Sequence, residues 1–221
     1  MKSKYPIPLA SLALALAAPV SAQTVWTDWT AATAGTPGSA AGTLNGIGVT
    51  YTGEVLANRV INGGFAGSWA PATSFIGGTV SVGPASVGDI ITLGGASGTN
   101  TLTFATPVTD PVFAIWSLGQ PGVAATFTFD ATPALQAGGP NVNFGGASIT
   151  VEGNVVSGRE GNGVVQFDGT FSSLTWTDTP EFFYGFTVGM AGNVAAIPEP
   201  GTWAMLGAGL ALLGVWGRRR R

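Results

Sequence analysis

Paired glycines interrupt the middle of the chain so often that no long helix fits between them. Glycine accounts for 35 of the 221 residues, and doublets recur at 63–64, 77–78, 94–95, 138–139 and 145–146. Because glycine lacks a Cβ, it weakens helices and readily adopts the backbone angles of tight turns. The spacing therefore favours short strands joined by hairpin turns.

Between these turns lie short runs rich in valine, isoleucine, threonine and phenylalanine. Several runs alternate with the period of two that is typical of a strand, and no stretch of 23–197 keeps an amphipathic helical period. Ten strands are predicted, at 47–51, 79–82, 89–93, 101–105, 111–118, 124–129, 148–152, 163–167, 170–176 and 182–188. This pattern indicates an all-β fold, an antiparallel β-sandwich of jelly-roll type.

One strand and one aromatic group are expected to form the centre of the sandwich. Residues 112–116 are apolar without alternation, which is typical of a strand covered on both faces. We expect the bulk of the opposing layer to come from Phe171, Leu174, Trp176, Phe182, Phe183 and Phe186.

The amino terminus has the three parts of a secretory signal peptide. Lys2 and Lys4 precede an apolar stretch at 7–18, and small residues end at Ala22. Residues 1–22 are therefore predicted to direct export through the Sec translocon, with signal peptidase cleaving before Gln23. The apolar stretch is too short for a comfortable membrane span.

The carboxyl terminus combines a rigid triplet, an apolar segment and a basic end. Pro198, Glu199 and Pro200 hold the chain extended. Residues 201–217 are uncharged and, as a helix, would reach about 25 Å, the lower limit for crossing a bilayer. The basic end would keep the carboxyl terminus cytoplasmic and leave the preceding chain outside; it consists of Arg218, Arg219, Arg220 and Arg221.

This ordered combination closely resembles the PEP-CTERM sorting signal of Gram-negative bacteria, and the resemblance spans about 197–221. It implies that exosortase, a membrane-embedded protease, recognises Pro198, Glu199 and Pro200. It also implies a transient stay in the inner membrane and delivery to the cell surface or exopolysaccharide matrix. An ordinary C-terminal membrane anchor is the alternative. A weaker resemblance covers residues 90–188, through the segments at 91–95, 102–104, 111–119, 158–167 and 171–176. These segments resemble a recurrent PEP-CTERM ectodomain, which implies a β-sandwich without an assigned activity.

Charge is distributed unevenly between the ends and the middle. Residues 23–197 contain only Arg59 and Arg159 as basic residues against ten acids, a net charge of −8. Nucleic acid and anionic membrane surfaces require clustered lysine and arginine, so neither is an expected partner. The charge is spread thinly enough to serve solubility.

Cysteine and histidine are both absent. The domain must therefore be stable without disulfides, which a single core of this size allows. Triads, thiolate chemistry and His/Cys metal sites are excluded as well. We expect no catalytic activity. The remaining enzymatic alternative is a glycoside hydrolase with paired carboxylates, for which Glu152 and Asp168 are the candidates.

Two kinds of binding site remain open. Trp26, Trp29 and Trp69 lie outside the predicted core strands and would stack on sugars if exposed, although simple packing is the expected alternative. Glu160 and Asp168 are weak candidates for calcium, because hard cations prefer oxygen ligands. No other cofactor is expected.

The sequence thus predicts a signal peptide at 1–22, a β-sandwich ectodomain at 23–196 and a sorting signal at 197–221. The predicted protein is secreted to the cell envelope and has a structural or adhesive role in exopolysaccharide. A carbohydrate-binding module is the alternative.

Overall fold

The computed structural model describes residues 23–64 and 66–191. Within them the chain forms β-strands and one short 3-10 turn, Ala72–Ser74, but no α-helix, so the predicted all-β class is confirmed. The strands are β1 Val25–Trp26, β2 Asp28–Thr33, β3 Gly35–Leu44, β4 Ile47–Val55, β5 Ile91–Leu93, β6 Asn100–Thr109, β7 Pro111–Leu118, β8 Ala125–Phe129, β9 Pro133–Gly138, β10 Ala147–Ser148, β11 Thr150–Glu152, β12 Val155–Gly158, β13 Gly161–Phe167, β14 Thr170–Asp178 and β15 Tyr184–Met190.

The strands form two sheets, here named sheet A and sheet B. Sheet A has seven strands in the order β1-β15-β7-β13-β10, with β5 beside β15 and β9 beside β13. Sheet B has eight strands in the order β11-β12-β8-β14-β6-β4-β3-β2. The described strand pairs are antiparallel except for the two-residue pair of β10 with β13. The antiparallel sheets agree with the prediction, whereas the jelly-roll connectivity stays a prediction.

Side chains from both sheets meet in one aromatic core. Phe113 of β7 stacks on Phe186 of β15 with ring centroids 4.9 Å apart. From sheet B, Trp176 and Phe127 approach the Phe113 ring at 5.1 and 6.3 Å. All four side chains are at most 1% exposed. Burying an aromatic side chain stabilises a fold by roughly 2–3 kcal/mol, so this core supports a domain that lacks disulfides.

Strand β7 is buried along its whole length, as predicted, because sheet A is covered on both faces. Phe113 and Ile115 face the aromatic core. The alternate residues Val112, Ala114 and Trp116 belong to a second apolar cluster on the other face. The partners there come from the connection between β4 and β5, the covering segment (56–64 and 66–90), which supplies Trp69, Phe75, Val80 and Ile90.

The strands at the amino-terminal end were not among those predicted. Their sequence is rich in Gly, Ala, Ser and Thr, so β2 and β3 lack a strong apolar alternation. They nevertheless pair with each other, and β3 forms a long hairpin with β4. The turn is Asn45-Gly46, where both residues have positive φ values of 49° and 80°. This dipeptide is a strong hairpin signal.

Several local predictions are wrong. Residues 79–82 form no strand and contribute only an isolated bridge between Gly77 and Val80, because they belong to the covering segment. Phe182 is 83% exposed rather than part of the core, since β15 begins at Tyr184. Phe183 packs on the second apolar cluster instead of the aromatic core. Phe186 is in the aromatic core but lies on β15, in the same sheet as β7, and not in the opposing layer.

The two ends of the described domain lie side by side. Val25 of β1 is the register partner of Met190 of β15, and Trp26 is the partner of Gly189. The chain therefore enters and leaves the domain at the same end of sheet A.

Candidate functional site

The three tryptophans proposed to stack on sugars have different environments. Trp29 and Trp69 are 0% exposed. The Trp29 Nε1 donates to Thr187 Oγ1 at 3.2 Å, and the Trp69 Nε1 donates to the Asp89 carbonyl oxygen at 3.2 Å. Neither ring has a face that a sugar can reach, so the stacking hypothesis is wrong for these two residues. They pack inside the domain, because Trp29 is the inward-facing residue of β2 and Trp69 lies in the apolar cluster between the covering segment and sheet A.

Trp26 is half-buried and lies against a glycine of the neighbouring strand. A Cβ at Gly189 would come within 2.9 Å of the Trp26 ring, so the glycine lets the indole lie close to the sheet. The Trp26 Nε1 donates to the Val82 carbonyl oxygen at 2.8 Å and fixes the ring orientation. Of the three tryptophans, Trp26 is the one that retains an accessible ring.

The Trp26 ring lines an open groove of about 420 Å³. Polar side chains of Asp28, Asn62 and Asp89 and the apolar side chain of Val87 share the lining. An aromatic ring beside a few directed polar groups is the usual composition of a small-ligand site. The groove lies between β1 and two parts of the covering segment, so residues distant in sequence form it.

Asp89 connects two walls of this groove through hydrogen bonds. Its Oδ2 accepts the Trp29 amide at 2.7 Å, and its Oδ1 accepts the Gly63 amide. Burial raises the pKa of Asp89 above its ordinary value; the two amide hydrogen bonds oppose that shift, and the charge of Asp28 adds to it. Because both carboxylate oxygens are already engaged, Asp89 holds the groove in shape. Asp28 and Asn62 remain as the polar groups for a ligand.

A second group of polar residues lies where the ends of β4, β6, β14 and β15 meet. Glu54 is buried, and its Oε2 accepts the amides of Gly94 and Ala96 at 2.8 Å each. Asn100 is 0% exposed, and its Oδ1 accepts the Tyr51 hydroxyl at 2.6 Å. These hydrogen bonds connect the loop after β5 to the end of β4.

Two carboxyl groups in this region lack normal partners. Neither oxygen of Asp178 has a hydrogen bond of ordinary geometry within the described residues, and the same is true of Glu181 Oε2. Burial raises the pKa of Asp178 to about 6; nearby Tyr184 and Asn100 oppose the shift, and Glu54 adds to it. Burial also raises the pKa of Glu181 to about 7.

The tyrosine hydroxyls beside these acids are affected in the same direction. Burial, followed by the negative charge of Asp178, raises the pKa of Tyr51 and of Tyr184 far above the ordinary value. Both tyrosines therefore stay neutral at any physiological pH. The Tyr184 hydroxyl donates to the Thr179 carbonyl oxygen at 3.0 Å, so it is anchored next to Asp178.

The two weak candidates for calcium do not come together in one site. Glu160 and Asp168 flank β13 at its two ends, and an extended strand of that length separates them by about 25 Å. The Glu160 Oε2 accepts the Ser117 hydroxyl at 2.6 Å, and Asp168 is exposed. Among residues 23–64 and 66–191, no three acids, cysteines or histidines are grouped so that they could hold a metal ion.

Glu152 and Asp168, the candidates for paired catalytic carboxylates, are both exposed. Glu152 ends β11, an edge strand of sheet B, whereas Asp168 follows β13 of sheet A. Neither side chain lines the groove beside Trp26. The absence of catalytic activity stays a prediction.

The residues predicted to direct export and sorting lie outside the described part, apart from Gln23, which is exposed at its beginning. This applies to Ala22, to Pro198, Glu199 and Pro200, and to the arginines from Arg218 to Arg221. No described helix has the length and apolar character needed to cross a membrane.

The described residues define an acidic all-β domain with a ligand-sized groove. Residues 196–221 match the family model of the PEP-CTERM protein-sorting motif, which confirms the resemblance seen in the sequence. The motif implies exosortase processing and marks a secreted protein associated with the cell envelope. Neither a curated protein nor a solved structure matches the chain.

Proposed function

We propose that the protein is a structural or adhesive component of an extracellular exopolysaccharide matrix, delivered there by exosortase. The observation that carries the proposal is the PEP-CTERM motif at 196–221. In the proposed route, residues 1–22 direct export through the Sec translocon, and signal peptidase cleaves after Ala22. A membrane helix at 201–217 then holds the chain in the inner membrane until exosortase acts at Pro198-Glu199-Pro200.

The chemistry of the domain supports a role outside the cell. It contains no cysteine, so its stability is independent of the redox state of its surroundings. Its charge of −8 favours dispersion in water over attachment to anionic surfaces. We assign the two sheets to a jelly-roll sandwich. In this proposal the domain binds matrix components or serves as a structural part of the matrix, and it catalyses no reaction.

The sorting step is tested by the mass of the mature protein recovered from the cell surface. The wild-type protein should lack residues 1–22 and the segment that follows the triplet. A Glu199→Ala variant should keep its tail and stay with the membrane fraction, while Glu152→Ala, an exposed glutamate of the domain, should match the wild type. A wild-type mature protein with an intact carboxyl terminus would contradict exosortase processing.

The second candidate function is carbohydrate binding in the groove beside Trp26. The observation that favours it is an accessible indole that lies close to Gly189, next to Asp28 and Asn62. Sugars bind such sites by stacking a ring face on the indole and by hydrogen bonding to the polar rim. Trp26→Ala should weaken retention on host exopolysaccharide. Phe182→Ala, which removes an aromatic ring exposed elsewhere, should not.

The prediction that the protein is not an enzyme is tested with a separate experiment. A screen of the mature protein against glycans should show no turnover. Turnover that disappears in Glu152→Gln or Asp168→Asn would establish a hydrolase and overturn this part of the proposal.

A further inference from the structure

The outer face of sheet B carries two rows of small polar side chains that run across five strands. In the first row, register partners place Thr33 beside Ser39, Ser39 beside Thr52, Thr52 beside Thr101, and Thr101 beside Thr175. Every member of this row has a hydroxyl group. The row crosses β2, β3, β4, β6 and β14 without a break.

The second row lies two residues further along each strand. It consists of Ala31, Ala41, Thr50, Thr103 and Ser173, again in continuous register. Between the two rows, the side chains of Ala40, Tyr51, Leu102 and Leu174 point into the core and are buried. In a sheet, neighbouring strands are about 4.8 Å apart, and alternate residues about 6.8 Å apart. The eight hydroxyls therefore form a repeating two-dimensional pattern.

These hydroxyls are not used by the fold. Within the described residues, none of these side chains makes a hydrogen bond. Their backbone groups serve strand pairing, except that those of Thr175 bond to Asp130. Six are exposed, and Thr101 and Thr175 are half-buried. Each hydroxyl is both a donor and an acceptor, so the face can exchange hydrogen bonds with a ligand of the same kind.

The face is also concave at one place. Thr33, Ser39, Thr50 and Thr52, with Ala31 and Ala41, line a trough of about 300 Å³ above β3. The small side chains of β3 form its floor. Because adjacent strands twist by roughly 20° each, the face cannot match a flat surface over five strands. A single flexible chain laid along the trough fits it better.

We propose that this hydroxyl face of sheet B binds an uncharged, extended polysaccharide chain. Neither row contains an ionic group, and the charged side chains at its margins, Asp130 and Arg59, are engaged with the Thr175 amide and the Ala32 carbonyl oxygen. The domain charge of −8 repels an anionic polymer. A neutral glycan presents hydroxyls at short intervals along an extended chain. These hydroxyls can form repeated hydrogen bonds with the threonine and serine hydroxyls of the face. The site is separate from the Trp26 groove, which lies beside sheet A.

This inference rests on the proposed adhesive role but not on the sorting route. Glycan binding and exosortase sorting can therefore fail separately. The test is affinity electrophoresis of the mature protein in native gels containing hydroxyethyl cellulose, which is neutral, or alginate, which is anionic. Wild-type protein should be retarded by the neutral polymer and not by alginate. Thr52→Val with Thr101→Val removes two hydroxyls at the centre of the first row and keeps the β-branched shape.

The double variant should lose about tenfold in affinity, the change expected from one or two hydrogen bonds. The control is Thr73→Val with Thr99→Val, which alters exposed threonines outside the strands of sheet B. Circular dichroism checks that each variant is folded. The proposal is overturned if wild type is not retarded by the neutral polymer, or if the double variant is retarded as strongly as wild type.

Two further outcomes also overturn it. Loss of retardation in Trp26→Ala with full retention in the double variant would assign glycan binding to the groove. Concentration-dependent dimers that the double variant abolishes, without retardation by the polymer, would make the face an interface between two copies of the chain.

Discussion

The outer faces of the two sheets differ in the side chains they present and in whether anything covers them. Sheet A presents Val112, Ala114 and Trp116 outward, and the covering segment (56–64 and 66–90) buries them. Sheet B presents threonine, serine and alanine, most of which stay exposed. An apolar face has to be covered, whereas a hydroxyl face can stay in water. The accessible face for a large ligand is therefore that of sheet B.

The largest effect is expected when Trp69, the largest side chain that the covering segment buries against sheet A, is removed. Trp69→Ala should destabilise the domain by about 4 kcal/mol, because the indole is fully buried and leaves a cavity over sheet A. Urea denaturation measures the loss, and Trp26→Ala, at a half-buried tryptophan, should cost clearly less. A loss below about 1 kcal/mol for Trp69→Ala would show that the segment contributes little to the burial of sheet A.

The acids at the junction of the two sheets should give an unusual pH dependence. Because burial raises the pKa of Asp178 to about 6 in the folded state, folding favours the protonated carboxyl. Stability should therefore be highest near pH 4 and fall as the pH rises through about 6. Glu54 faces Asp178, and Glu181, whose pKa is raised to about 7, acts in the same direction beside Glu160.

Asp178→Asn should remove the part of this dependence that comes from Asp178 and leave the part that comes from Glu181. Allowing for the partial exposure of Asp178 as a residue, the variant should be about 1–2 kcal/mol more stable than wild type at pH 7.5 and equal to it near pH 4. Denaturation curves at several pH values measure the difference. Asp168→Asn, at an exposed acid, is the matched control and should leave the profile unchanged. A wild-type domain that gains stability between pH 4 and pH 7 would refute the expected sign.

A substitution in the turn between β3 and β4 should change stability by a smaller amount. Gly46→Ala should cost about 1 kcal/mol, because the φ of 80° is unfavourable for a residue with a Cβ, while a Cβ there would meet no atom within 4 Å. Gly98→Ala is the control, since that position is equally open and its φ is not in the left-handed region. Equal melting temperatures for both variants would show that the turn does not limit the stability of sheet B.

The smallest change is expected on the hydroxyl face itself. Thr50→Val should alter stability by no more than about 0.5 kcal/mol, because the side chain is exposed and valine is a good strand former. The same denaturation assay applies. A loss above about 1 kcal/mol would mean that the hydroxyl rows serve the fold and are not reserved for a ligand.

The sequence predicts those strands well whose side chains alternate or are apolar throughout. β7 is apolar because both its faces are buried, and β8 alternates because Phe127 and Phe129 point inward. Strands β2 and β3 were missed since their inward residues include alanine and glycine, which give a weak pattern. Asn45-Gly46 was the available signal for that hairpin.

The candidate sites were harder to predict, because they depend on register between distant strands. Nothing in the sequence places Asp89 beneath Trp29 and Gly63, or Thr101 beside Thr52 and Thr175. The distance between Glu160 and Asp168 likewise follows from the extended strand β13, which lies between them. A repeated signal was nevertheless present for the hydroxyl face, since Thr-x-Thr or Ser-x-Thr recurs at 50–52, 101–103 and 173–175.

The pairing of Val25 with Met190 has a mechanical consequence. A tether attached beyond Met190 pulls along β15, which is hydrogen-bonded to β7 over six register pairs and also borders β1 and β5. Force directed along a strand loads its hydrogen bonds together rather than one after another. If a polymer binds sheet B as proposed, a load between that polymer and the end of β15 would pass through the aromatic core that joins the two sheets.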